Sequence, residues 1–385
     1  MPLGWNFSLC WASKSVMSAS TLIPVASPLS FLRGGSATIA GEERLRDSHG
    51  RAITDLRVSV TDRCNYKCVY CRTGEEDVQF SELPVERYLR MIRIFVSLGI
   101  EKIRITGGEP LLRAGVVDMV AELALMRSAF PDESGLSNQK LDIALTTNGH
   151  LLESMAAPLK AAGLNRVTVS MDAVDSETFS RITRVPRSFE RVLAGIRAAR
   201  DAGLGPVKVN CVLLRGFNDS QIEQFAEFSR TENVIVRFIE WMPLEEPSSA
   251  PEARTWAPET VVPMDEIVGR INAWRPLVEL PPNTASETAR RFTFEDGVGE
   301  IGIIAPVSRP FCGHCSRVRL TSDGKIRTCL FSQSDHDLEK KMLQGKSDSE
   351  LAAYIRHIVF QKEARHHIGE LGFLKPSRNM VHIGG

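Results

Sequence analysis

Neither sign of charge predominates in this chain: Lys and Arg number 47, and so do Asp and Glu. No global field therefore draws it to nucleic acid or to an anionic membrane surface, and any anionic ligand must be met by local cations. No stretch approaches the roughly 18 uninterrupted apolar residues of a membrane span, so a soluble protein is expected, with neither a membrane nor a nucleic acid as partner. A Walker A loop is missing as well, since Gly345, Lys346 and Ser347 lack the glycine five positions earlier, where Lys340 stands. A bound nucleotide would then be a substrate to be held, not one to be hydrolysed in the GTPase manner.

Acidic residues are missing from residues 1–40, which hold eight serines, two basic residues (Lys14 and Arg33) and an apolar run broken by Pro24 and Pro28. That is a poor secretory signal. Residues 1–48 read as a disordered extension; an organellar transit peptide is the alternative, and Met17 offers another start. The expected compartment is cytoplasmic, or the mitochondrial matrix if the extension is a transit peptide.

The 385 residues, 43% hydrophobic, suffice for one large domain or a main domain with a smaller one attached. From residue 53 a rhythm repeats: a β-branched run, a polar or glycine-rich loop, then a helical period. Strands are predicted at 53–60, 102–106, 142–147, 166–171, 207–213 and 234–240, and helices near 84–98, 115–128, 151–162, 189–202, 221–230 and 263–273. Six βα units imply an α/β fold with a parallel sheet, rolled into a barrel or doubly wound, with its chemistry at the strand C-terminal ends. Polar residues gather there: Arg57, Arg104, Gly107 to Glu109, Thr146, Ser170, Asp172, Lys208, Asn210, Glu240 and Met242. Residues 243–260 read as an exposed loop. After 275 the rhythm stops; strands follow within 291–304, and then a charged helical tail runs to Gly384 and Gly385.

Six of the eight cysteines form two triplets, Cys64, Cys68, Cys71 and Cys312, Cys315, Cys329, a spacing suited to metal capture. A CxxxCxxC run gives three thiolates to a four-iron cubane and leaves one iron open for an exogenous molecule. The second triplet likewise leaves an iron open for a substrate; an electron-relay cluster or a zinc site completed by His314 is the plainer reading. Gly107, Gly108, Glu109 and Pro110 end a strand so that backbone can approach a ligand and Glu109 can accept from an ammonium, although alone they read as a tight turn. Cys211 in an apolar strand is a core residue, Cys10 belongs to the tail, and His366 and His367 read as a charged helix face.

The cysteine run with Tyr70 before its third cysteine, followed by GGEP, resembles the radical S-adenosylmethionine superfamily. The ordered blocks LRVSVTDRCNYKCVYC, KIRITGGEPLLR, LTTNG, VTVSMDA, PVKVNCV, VRFIEWMP, FCGHCSRVRLTSDGK with CLF, and the terminal HIGG resemble the GTP 3',8-cyclase family of molybdenum cofactor biosynthesis over residues 51–385. The resemblance implies an incomplete (βα)6 TIM-type barrel (49–275) and a C-terminal iron–sulfur region (276–385) closing its open side. It implies a lyase with two 4Fe-4S clusters and S-adenosylmethionine. One cluster would sit on Cys64, Cys68 and Cys71, and a substrate-binding cluster on Cys312, Cys315 and Cys329. S-adenosylmethionine would contact Tyr70, Gly108, Ser170 and Met242; GTP would contact Arg57, Arg104, Thr146, Lys208, Arg317 and Arg319, the last two being also the catalytic candidates.

The implied partners are GTP, an electron donor and the downstream cyclic pyranopterin monophosphate synthase, and a homodimer is left open. Arg72 and Thr73 depart from the Met and Pro common in relatives. A peptide-modifying maturase of the same superfamily is the alternative enzyme; a non-catalytic zinc protein would leave GGEP and the cations unexplained.

Overall fold

The computed structural model describes residues 43–71, 81–131, 138–244 and 255–384. The chain separates into units 1–38 and 39–385, and every described residue belongs to the second. Cys10, Met17 and most of the expected extension, Arg72 and Thr73, Gly385, and much of the 243–260 loop lie outside the described residues. Residues 43–48, assigned above to the extension, belong to the folded unit: Leu45 is buried and Arg46 forms a β-bridge with Ala52.

The six expected units form in order: β1 (Asp55–Ser59), α1 (Val85–Ser97), β2 (Lys102–Thr106), α2 (Val116–Leu125), β3 (Asp142–Thr147), α3 (Leu152–Ala161), β4 (Arg166–Ser170), α4 (Ser176–Thr183), α5 (Phe189–Asp201), β5 (Lys208–Leu213), α6 (Ile222–Thr231), β6 (Ile235–Glu240) and α7 (Met264–Trp274). Helix α4 has no counterpart in the sequence reading. It is eight residues long, with Asp175 capping it by accepting from the Thr178 amide at 2.8 Å. β1 to β6 lie side by side and parallel, the incomplete TIM-type barrel arrangement.

These strands alternate, although parallel strands covered on both faces usually read as continuous apolar runs. In β1, Leu56 and Val58 are fully buried toward the helices while Asp55 and Arg57 face inward. β2 repeats this with Ile103 and Ile105 against Lys102 and Arg104, and β6 with Val236 and Phe238 against Arg237. Period-two patterning inside a βα fold means that the helix side is the core and the inner face is a polar cavity.

The C-terminal region extends both edges of the sheet. On one side β9 (Glu300–Ile304) pairs parallel with β6 and carries the antiparallel β8 (Arg290–Phe294) and β7 (Leu277–Leu280). On the other, β10 (Arg317–Leu320) pairs parallel with β1, followed by β11 (Lys325–Arg327) and β12 (His336–Asp337). It thereby covers the unpaired backbone of β1 and β6, which would otherwise be exposed edges. The tail is helical in α8 (Leu338–Leu343), α9 (Asp348–Phe360) and α10 (Met380–Ile383), but irregular over 361–379. His366 and His367 therefore do not form the expected helix face. His366 stands against Phe331 (ring centroids 5.4 Å apart), and its buried ring nitrogens have no hydrogen-bond partner among the described residues.

Candidate active site

The first cysteine triplet leaves β1 on a loop docked to the GGEP turn. The Gly108 amide donates to the Thr61 carbonyl at 2.8 Å and the Glu109 amide to the Arg63 carbonyl at 2.7 Å. A Cβ on Gly107 would stand 2.3 Å from the Thr61 oxygen, and one on Gly108 the same distance from the Arg63 oxygen. The glycines thus admit the backbone of the cysteine loop, where the sequence reading had them admitting a ligand. On its far side the loop hangs from the end of α4: the Lys67 and Val69 amides donate to the Thr183 and Ile182 carbonyls. Glu82 accepts from Thr61, Arg63 and Arg113, joining the two loops again.

Glu109 is fully buried. It accepts from the Leu111 amide (3.0 Å), the Thr147 hydroxyl (2.7 Å) and the Asn148 amide (2.7 Å), and burial pushes its carboxyl up to about 7 despite these bonds. A carboxylate offers about four acceptor positions, so one remains for an ammonium. The Tyr70 hydroxyl donates to Asp172 at 2.7 Å, and the other Asp172 oxygen accepts the Val212 amide at 2.8 Å. Burial raises the Asp172 carboxyl to about 6. Ser170 ends β4 in register with Asn210.

The cations lie deeper than the sequence reading placed them. Arg57 and Arg104 are mid-strand and Lys208 begins β5, so they line the inner face below the cysteine rim. Register puts Arg57 beside Arg104 on β2 and beside Arg319 on β10. Burial, with this mutual repulsion, pulls the Arg57 guanidinium well below its ordinary value. Burial first, then charged neighbours, lowers Arg104 to about 10, Arg319 to about 9 and Lys208 to about 8. Arg104 donates to Thr146 at 3.2 Å and to Thr168 at 3.3 Å.

The sequence reading missed Arg237, on the inner face of β6. It donates to Asn210 at 2.9 Å and to Thr168 at 3.3 Å, and burial, then Arg104, brings it to about 9. A Cβ on Gly302 would lie 3.0 Å from Arg237 Cγ, so that glycine makes room for its stem. The signal was an Arg at an inner position of VRFIEWMP, in phase with the other cations. Asn148 was missed too: its amide donates to Asn65 at 2.7 Å and lies 3.9 Å from Cys64 Sγ.

Around the second triplet, Arg317 donates to Cys315 Sγ at 3.4 Å and lies 5.0 Å over the Phe311 ring. Burial raises the Cys315 thiol, but Arg317 and Lys362 outweigh it and bring it down to about 7. Arg319 is buried and donates to the carbonyls of Ile383, at 3.0 Å, and Gly384, so the C-terminal tail reaches the cation group. Met242 packs in a small apolar cluster with Cys329, Val307 and Ile383. None of the six cysteines of the triplets is in a disulfide. Among the described residues no group of three His, Cys, Asp or Glu converges as around a single ion; in a cubane each cysteine takes a different iron, so such convergence is not required. Among the described residues no helix is long and apolar enough to cross a membrane.

Residues 58–229 match the Radical SAM superfamily, and residues 234–368 match Molybdenum Cofactor Synthesis C. GTP 3',8-cyclase of Acidothermus cellulolyticus is 44% identical over 312 residues, 79% of this chain and 81% of that one. The Corynebacterium glutamicum enzyme of the same name is 42% identical over 357 residues, 90% of both chains. Among solved structures, Streptococcus suis SuiB bound to S-adenosylmethionine aligns with a TM-score of 0.53 at 15% identity, over 79% of this chain and 68% of that one, a likeness of fold. By identity along most of its length, and by both family matches in order, the chain belongs to the GTP 3',8-cyclase family of the radical S-adenosylmethionine superfamily.

Proposed function

We infer that this protein converts GTP to 3',8-cyclo-7,8-dihydro-GTP in molybdenum cofactor biosynthesis. The observation that carries the reading is the layering of the barrel, with cysteines and GGEP at the rim and a group of cations beneath. Its cofactors are two 4Fe-4S clusters and S-adenosylmethionine, which when bound supply the one-electron cleavage and the 5'-deoxyadenosyl radical that takes hydrogen from ribose C3'.

Cys64, Cys68 and Cys71 would hold the first cluster, and Cys312, Cys315 and Cys329 the second. Glu109 would receive the ammonium of S-adenosylmethionine, whose charge favours the ionised carboxylate. Tyr70, Gly108, Ser170 and Met242 would complete that site. Arg57, Arg104, Lys208, Arg237, Arg317 and Arg319 would hold the triphosphate with Thr146, their repulsion relieved by its negative charges. Holding the ribose between rim and cation layer limits its motion and excludes water, which is most of what protein contributes to radical chemistry. The division at residue 275 would separate radical generation from substrate capture. An electron donor, a downstream cyclic pyranopterin monophosphate synthase and a reducing cytoplasmic setting complete the reading.

The test is an anaerobic assay of reconstituted protein with S-adenosylmethionine, GTP and a strong reductant, read by mass spectrometry. Cyclised nucleotide appearing in step with 5'-deoxyadenosine supports the reading; 5'-deoxyadenosine alone keeps the radical machinery and removes GTP as substrate. Zinc in place of iron in the purified protein would remove both.

A further inference from the structure

Glu240 closes β6, is fully buried, and sits out of phase with the inward Arg237. One carboxylate oxygen accepts the Met264 amide at 3.0 Å and the Ser308 hydroxyl; the other accepts the Val307 amide at 2.9 Å and the Ser308 amide at 2.8 Å. Four oriented donors, with no cation among the described residues, hold this charge. Met264 is the first residue of α7, whose N-cap position is Pro263 and has no side-chain cap, so Glu240 supplies an anion to a helix N-terminus from another element.

Capping α7 accounts for one donor of the four. The other three belong to the turn after β9, which reaches Cys312 four residues past Ser308. In the other direction, Met242 follows Glu240 by two residues, and its side chain joins Val307 and Cys329 in one apolar cluster. A buried carboxylate sharing several charge-assisted bonds is a stiff joint, because any shift strands amides in a place without water.

We propose that Glu240 is a positioning residue that fixes the second cysteine triplet relative to the Met242 end of β6, and so sets the fraction of radical events that end in cyclised nucleotide. This rests on the function proposed above. No residue of the joint touches the reacting atoms; its effect is on distance.

The test compares reconstituted wild type, Glu240→Gln and Ser308→Ala for iron content, for the ratio of cyclised nucleotide to 5'-deoxyadenosine, and for amide hydrogen exchange in segments 262–266 and 305–309. The carboxamide keeps the shape but has one acceptor oxygen, so donors are stranded. Glu240→Gln is expected to keep 5'-deoxyadenosine formation within about twofold while the ratio falls about tenfold, the scale of a small misplacement. Ser308→Ala, which removes one bond, is expected to lower the ratio about threefold. Both should speed exchange in 305–309. An unchanged ratio, or loss of both products in equal proportion, overturns the proposal. If Glu240→Gln does not fold, the Ser308→Ala ratio decides. Wild type that makes 5'-deoxyadenosine without cyclised nucleotide overturns the GTP reading, and the exchange rates then decide whether the joint exists.

Discussion

Arg104 and Arg237, on strands separated by three others, both donate to the single hydroxyl of Thr168 at 3.3 Å. Two half-buried guanidiniums held this close repel each other, and after burial Arg104 is the largest cause that lowers Arg237. A polyanion placed among these cations relieves their repulsion.

Arg237→Ala is therefore expected to raise the KM for GTP roughly tenfold to a hundredfold, the worth of one charge-assisted hydrogen bond, with a smaller change in kcat. Arg237→Lys should restore part of the loss. Steady-state kinetics check this, and a KM within twofold of wild type for Arg237→Ala removes the residue from the substrate site.

Gly108→Ala tests the docking of the two rim loops. The new methyl would stand 2.3 Å from the Arg63 carbonyl oxygen, a contact that backbone must yield to. The expected protein folds, keeps the second cluster and loses the first, so that iron falls to about half of wild type and 5'-deoxyadenosine formation is lost. Full iron content with normal cleavage would show that the loops have room to spare.

Gly384→Ala tests the tail. Gly384 has a φ of +68°, and a Cβ there would lie 2.5 Å from both Ser59 Oγ and Thr106 Cγ2. The tail should lose its place beside Arg319, and cyclised product should drop at least about tenfold with iron content unchanged, because the change is confined to positioning. Product assay and iron analysis on the same preparation read the two quantities.

Glu109 gives a pH signature. Its folded carboxyl lies near 7 against an ordinary 4.5, raised by burial. A group raised in the folded state contributes stability that is fully present below about 4.5 and is lost as pH rises through 7, here by on the order of 3 kcal/mol. Urea unfolding of the cluster-free chain from pH 4 to pH 8 should show that decline in wild type and a shallower one in Glu109→Gln. Parallel profiles would mean that the Glu109 carboxyl titrates in the folded chain as it does in the unfolded one.

Much of the fold was written in local pattern. Lys102–Thr106 and Asp142–Thr147 form as their β-branched runs indicated, because period-two burial against helices acts over a few residues. α4 escaped notice because SETFSRIT is short and mixed, and its identity as a helix depends on the Asp175 cap and on burying Phe179 and Ile182. His366 misled because a charged run resembles a helix face until Phe331 packs against it.

By itself the sequence determined the parallel α/β order, the two cysteine triplets and the GGEP turn, since spacing along the chain decides which ligands can share a cluster and which backbone can turn. Tertiary structure alone decided which cations meet, that the glycines of GGEP serve the cysteine loop, that the tail carbonyls reach Arg319, and that Glu240 joins β6 to the approach to Cys312. Those relations link residues tens to hundreds of positions apart, and they follow from strand register and chain path, which no local pattern encodes.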